Sequence, residues 1–125
     1  MSHAFLLSQT KLFNQNLENL PLRKLLINTL NAYCFTLARK DEVYAEALIK
    51  SDILLPDGVS VVLASRFLTG GKLKKIAGAD LFFYEMNRLN ESGGTCFFLG
   101  SNVDTLKRII DHASIDFPNV RVGKY

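Results

Sequence analysis

The sequence predicts an α/β fold: a parallel sheet covered by helices on both faces. Three observations predict it. Short runs of consecutive apolar residues recur along the chain, stretches of helical length separate them, and each run gives way to a turn or cap signature. Solid apolar runs, as opposed to alternating ones, belong to strands buried on both faces. Strands that alternate with helices are the pattern of a parallel sheet.

The elements follow in order. Ser8 to Asn19 is polar, rich in Asn and Gln, and followed by Pro21, so residues 1–23 read as an N-terminal arm. Residues 24–125 read as one domain. Lys24-Leu25-Leu26-Ile27-Asn28 is a short strand ending in polar residues. Helices are expected over Ala32 to Lys40 and Glu42 to Lys50, the second with Asp41 as N-cap and Val43, Ala47 and Leu48 on its apolar face. Ile53-Leu54-Leu55 is the next strand, stopped by Pro56-Asp57-Gly58.

A mostly buried helix from Val59 to Leu68 is closed by Thr69-Gly70-Gly71. The basic connector Lys72-Leu73-Lys74-Lys75 leads to a helix over Ala79 to Asn90. Thr95-Cys96-Phe97-Phe98-Leu99 is the clearest strand. Gly100-Ser101-Asn102 turns into a helix from Val103 to Ala113, with Val103, Leu106, Ile109 and Ile110 on one face. Val120-Arg121-Val122 is the last strand.

Composition bounds the function. Of 125 residues 48% are apolar and 22% charged, which excludes a disordered chain. The net charge of +3 is compatible with a phosphate-bearing ligand or an anionic membrane surface. Cys34 and Cys96 lie inside apolar runs and read as core thiols in a reducing compartment. Ala4-Phe5-Leu6-Leu7 is too short for a signal peptide. No apolar stretch approaches the roughly 18 residues that span a bilayer. A cytoplasmic protein with at most peripheral membrane contact is expected.

Parallel sheets bind ligands at the carboxyl ends of their strands, which directs attention to three turns. At Pro56-Asp57-Gly58 a carboxylate held at a strand end could act as general base toward a sugar hydroxyl. It could equally cap the helix that follows, and spacing alone favours the cap. Thr29 and Asn31 could hydrogen-bond a ligand or cap the helix from Ala32. Gly78 and Asp80 follow a run of lysines, where a helix N-terminus could face a diphosphate or simply carry an ordinary cap. Gly100, Ser101 and Asn102 share that ambiguity.

Other chemistries find little support. Gly100-Ser101-Asn102 lacks the further glycines of a dinucleotide fingerprint, and there is no Walker loop. His3 and His112 have no metal-ligand partner at motif spacing, which argues against a zinc site; no metal is expected, and no cofactor. No Gly-x-Ser-x-Gly elbow is present. The basic residues lack the aromatic interleaving of a nucleic-acid platform.

Taken together, Thr29-Leu30-Asn31-Ala32, Ser51 to Val59 (SDILLPDGV), Lys75 to Leu81 (KIAGADL) and Phe97-Phe98-Leu99-Gly100 resemble the WecG/TagA/CpsF family of bacterial glycosyltransferases. The resemblance covers Leu25 to Tyr125. It implies a Rossmann-like domain that binds a UDP-linked N-acetylhexosamine, commonly UDP-N-acetylmannosamine. The sugar would pass to an undecaprenyl-diphosphate-linked acceptor at the inner membrane face, for teichoic acid, capsule or related polymers. Asp57 would be the general base, with Thr29, Asn31 and Gly58 around the sugar and Gly78 and Asp80 in the pocket wall. Lys75 stands where the family usually has an arginine facing the diphosphate; it keeps the charge and loses the planar fork.

Members of the family are about twice as long, and this sequence stops where they continue into a proline-rich turn. The resemblance therefore implies missing later strands and a missing C-terminal membrane-docking segment. It leaves a half-sheet whose open edge self-association could cover. Two functions stay open: an inverting glycosyltransferase, or a non-catalytic nucleotide-binding or oligomerising module.

Overall fold

Two short parallel strands organise the first part of the chain. In the computed structural model, which describes residues 6, 7 and 11–123, β1 is Ile27–Leu30 and β2 is Ile53–Pro56. His3 lies outside the described residues, as do Ala4, Phe5, Lys124 and Tyr125. The chain divides into two units, Met1–Leu81 and Phe82–Tyr125, each with its own strand pair. The result is a mixed α/β protein with two short parallel pairs and five α-helices among the described residues.

In the first unit β1 and β2 pair in register from Ile27 opposite Ile53 to Leu30 opposite Pro56. A parallel pair needs a crossover. Here it is supplied by α1 (Ala32–Ala38) and α2 (Glu42–Ile49). Each helix starts on a side-chain cap: Asn31 Oδ1 accepts from Cys34 N–H at 2.8 Å, and Asp41 Oδ1 from Tyr44 N–H at 3.0 Å. The strand begins three residues later than the apolar run suggested. The Asp52 carboxylate takes the Leu26 N–H (2.9 Å) and the Arg23 guanidinium (3.0 Å), so residues 23–26 are held by a side chain and Leu26 is exposed. Thr29 and Leu30 therefore belong to the strand rather than to the turn after it.

The unit's core contains Leu30 and Leu54, both fully buried, with Ala38, Ala45, Leu48, Val61 and Leu73. Leu6, Leu7 and Leu12, from the segment read as an arm, join it. Leu12 bridges to Leu54 in parallel, and Phe13 N–H donates to Leu54 O at 2.9 Å. The Lys11 ammonium donates to the carbonyls of Ile49 and Ser51 at the end of α2, where the helix dipole favours a cation. Burial holds the Lys11 pKa below its ordinary value, against the opposing pull of the Asp52 charge. The α2 face differs from expectation: Ala45 and Leu48 are buried, whereas Val43 and Ala47 face solvent. The stripe that meets the core is narrower than the apolar residues available. α3 (Val59–Thr69) follows β2 and ends on Gly70 in the left-handed conformation, φ 71°.

The boundary between the units falls within α4 (Gly78–Ser92). In the second unit β3 is only Thr95–Cys96, paired in parallel with β4 (Arg121–Val122) and joined to it by α5 (Val103–Asp116). The run to Leu99 does not continue the ladder, and Phe97 and Leu99 are exposed. Bonds from Arg121 N–H to Gly94 O (2.9 Å) and from Gly123 N–H to Cys96 O (2.8 Å) extend the pairing at both ends. Met86, Ala113, Phe117 and Val120 form this core, with Cys96 and Phe98 against it. Within the expected apolar face of α5, Val103, Ile109 and Ile110 are exposed, and the core residue is Ala113. Both cysteines are free and half-buried rather than fully buried, and burial pushes the Cys96 thiol up. No helix among the described residues is long and apolar enough to cross a membrane.

Two outcomes are expected. Leu54→Ala should cost about 2–5 kcal/mol in denaturant unfolding, since it empties a fully buried site in the ladder; a cost under about 1 kcal/mol would remove Leu54 from the centre of the core. Asp52 has its pKa lowered, first by the Leu26 N–H and then by Arg23. Its contribution to stability is therefore present above the ordinary carboxylate value and lost as pH falls through the lower folded value. Asp52→Asn should flatten the acid side of a stability–pH curve; an unchanged acid limb would refute that linkage.

Candidate functional site

The turn after β2 is built by backbone constraints. Asp57 N–H donates to Leu30 O at 2.9 Å, which ties the turn to the end of β1. Ile76 N–H donates to Pro56 O at 3.0 Å, bringing the segment ahead of α4 against the end of β2. Gly58 is the N-cap of α3 with φ 119° and ψ 144°, a conformation open essentially to glycine alone. It contributes no side-chain cap.

Asp57 consequently does not cap α3, and the reading that spacing favoured is corrected. With Gly58 in an extended, positive-φ conformation, the carboxylate points to a different helix. Asp57 Oδ2 accepts a long hydrogen bond of 3.4 Å from Gly78 N–H, the first residue of α4. A carboxylate is well placed near the positive end of a helix dipole. The partners lie 21 residues apart, beyond the reach of any local motif.

Three further candidates gather around this turn. A Cβ on Gly78 would sit 3.5 Å from Thr29 Cγ2, and one on Gly58 would sit 3.9 Å from Asn31 Cβ. Thr29, Asn31, Asp57, Gly58 and Gly78 are all half-buried. They form one cluster at the carboxyl ends of β1 and β2, where open α/β sheets bind ligands. Asn31 is also the cap of α1, using Oδ1 and retaining an amide NH₂ that can donate.

Asp80 and Lys75 stand apart from that cluster. Asp80 Oδ2 accepts from Ala77 N–H at 2.8 Å, the return half of a capping box on α4. Lys75 and Asp80 line a polar cavity of about 460 Å³ whose lining does not include Thr29, Asn31 or Asp57. Its other wall comes from Gln15, Asn16 and Glu18, residues that the sequence left in an arm without chemistry. Their neighbours in space are some sixty positions away in the chain, and no local signal marks them. Gly100, Ser101 and Asn102 lie in the second unit. Asn102 caps α5 by accepting from Thr105 N–H at 2.9 Å, behind a turn with φ 115° at Gly100 and 62° at Ser101. Among the described residues no group of three or more His, Cys, Asp or Glu side chains could hold a metal ion.

Strand–helix–strand crossovers on parallel pairs, with a carboxylate and small polar residues at the strand ends, define a protein of the mixed α/β class. The sequence narrows the class further. The chain belongs to the Glycosyl transferase WecG/TagA/CpsF family, whose pattern it matches over residues 6–125. It is similar to an N-acetylglucosaminyldiphosphoundecaprenol N-acetyl-beta-D-mannosaminyltransferase of Bacillus subtilis (strain 168), 31% identical over 79% of this chain and 39% of the relative. It is also similar to the protein of that name from Bacillus spizizenii (strain ATCC 23059 / NRRL B-14472 / W23), 28% identical over 70% of this chain and 34% of the relative. The chain thus spans between a third and two fifths of the curated relatives that it matches.

The two glycines of the cluster should respond differently to alanine. Gly58→Ala should cost about 1–3 kcal/mol, because its backbone conformation is closed to L side chains. Gly78→Ala has room beside Thr29 and should change stability by less than about 1 kcal/mol. Thermal unfolding of the two variants checks this, and equal costs would contradict the strand-end geometry.

Proposed function

We propose that this chain carries the donor and general-base end of an inverting hexosaminyltransferase working at the cytoplasmic face of the membrane. In this reading it takes N-acetylmannosamine from a UDP-linked donor to a lipid-diphosphate-linked N-acetylglucosamine. The observation that carries the reading is Asp57, at the joint carboxyl end of two parallel strands and turned toward the α4 N-terminus. Family membership and the names of the two Bacillus relatives support the substrate class. The strand–helix–strand unit of β1, α1, α2 and β2 fits a Rossmann-like nucleotide-sugar domain.

The chemistry asks for a base beside the acceptor hydroxyl. The acceptor oxygen forms a bond to the anomeric carbon while the bond from that carbon to the diphosphate oxygen breaks, and UDP leaves with the electron pair. The hydroxyl proton passes to the Asp57 carboxylate, which later releases it to water. The Gly78 N–H holds the carboxylate through Oδ2. Thr29 and the Asn31 amide, at the end of β1 beside this turn, would hold the sugar. Lys75, one residue before the Ile76 that is bonded to the strand end, would balance the diphosphate charge.

The test is transfer from UDP-N-acetylmannosamine to a soluble short-chain acceptor, read by mass spectrometry. Asp57→Asn should lower transfer by about 10²-fold or more while leaving UDP affinity nearly unchanged. Wild-type rates in that variant would remove the base assignment. A chain that binds UDP and transfers nothing would instead be a nucleotide-binding module.

A further inference from the structure

We propose that the polar cavity between residues 15–18 and 74–80 is a glycosyl-diphosphate subsite, with Gln15, Asn16 and Lys74 as positioning residues. The inference rests on the transferase reading above and adds a wall drawn from the N-terminal segment. The cavity measures about 460 Å³, within the range of roughly 300–1,000 Å³ typical of small-molecule sites. Six of its eight lining residues are polar, the exceptions being Leu17 and Ile76. An apolar ligand would leave those groups without partners, whereas a phosphorylated sugar matches them.

The groups divide by chemistry. Lys74 and Lys75 supply two ammonium groups for phosphate oxygens, beside the N-terminal end of the 15-residue α4. Gln15 and Asn16 carry amides that both donate and accept, as sugar hydroxyls and acetamido groups require. Asp80 is engaged through Oδ2 with Ala77 N–H, so one of its oxygens already has a protein partner. Glu18 is the one group whose charge opposes a diphosphate without a compensating bond to α4. The cavity also adjoins the base: Ile76, part of its lining, is bonded through its N–H to Pro56 O, next to Asp57. Leu12 and Leu20, on either side of the facing wall, are buried, and Leu12 is bridged to Leu54.

Both a nucleotide sugar and a lipid-linked sugar carry a glycosyl diphosphate, and calorimetry can separate them. The probes are UDP-N-acetylglucosamine, UMP and a short-chain, water-soluble N-acetylglucosaminyl-diphosphate prenol. Lys74→Gln and the double variant Gln15→Ala/Asn16→Ala should each weaken binding of a diphosphate probe by about fivefold or more, with UMP little affected. Glu18→Gln should tighten it, most clearly at low salt, because a like charge is removed. A purely structural role would not give that opposite sign. Loss confined to the nucleotide sugar assigns the cavity to the donor, and loss confined to the prenol assigns it to the acceptor. Diphosphate binding that stays within twofold of wild type in all three variants would overturn the subsite while leaving the Asp57 reading intact. Failure of both diphosphate probes to bind the wild-type chain would overturn it as well. The Asp57→Asn transfer result is independent of both.

Discussion

In a parallel pair the hydrogen bonds run slanted from strand to strand, and both strands finish on the same side. Leu30 opposite Pro56 is the last step of that ladder in the first unit, and it decides where Asn31 and Asp57 can be. Proline has no N–H to donate, and the bond to β1 at this end comes from Asp57 N–H to Leu30 O. Its carbonyl still accepts Ile76 N–H, so the end of β2 gathers a third segment, the one that starts α4. The contacts among Asp57, Gly78, Thr29 and Asn31 follow from this junction. Slipping the ladder by one residue would exchange the buried faces on which Leu54 and Leu55 lie and separate the turn from β1.

The junction is steadied from the N-terminal side by groups that look unremarkable in sequence. Leu12 bridges to Leu54 of β2, and Lys11 closes the end of α2 through two carbonyls. The Lys11 ammonium is favoured there by the carbonyl dipoles and disfavoured by burial, and the lowered pKa records the second effect. An isolated polar stretch with scattered leucines gives no periodic signal. Its leucines count only once β2 and α2 are in place to receive them.

Asp57 illustrates how a local rule loses to backbone conformation. Asp-Gly-Val-Ser has the composition of a helix start, and a side-chain cap at Asp57 is a sound expectation. Gly58 instead takes the N-cap position in a conformation that only glycine adopts, and the carboxylate is redirected to a helix start 21 residues onward. The same contest went the other way at Asn31, Asp41 and Asn102, where the local cap forms as spacing predicts. At Asn31 the cap and a ligand contact are compatible, because the amide has a second end.

By itself the sequence determined the alternation of strands and helices, the caps at Asn31, Asp41 and Asn102, and the turn at Pro56-Asp57-Gly58. These are set by interactions within a few residues, and residue type and spacing encode them directly. Tertiary structure alone decided the register of β1 on β2 and the shortening of the Thr95–Leu99 run to a two-residue strand. It also decided which faces of α2 and α5 are buried, the pairing of Asp57 with Gly78, and the cavity that joins residues 15–18 to Lys74 and Lys75. Each of those depends on groups far apart in the chain, whose meeting is fixed by packing and ladder geometry and by no property of either segment alone.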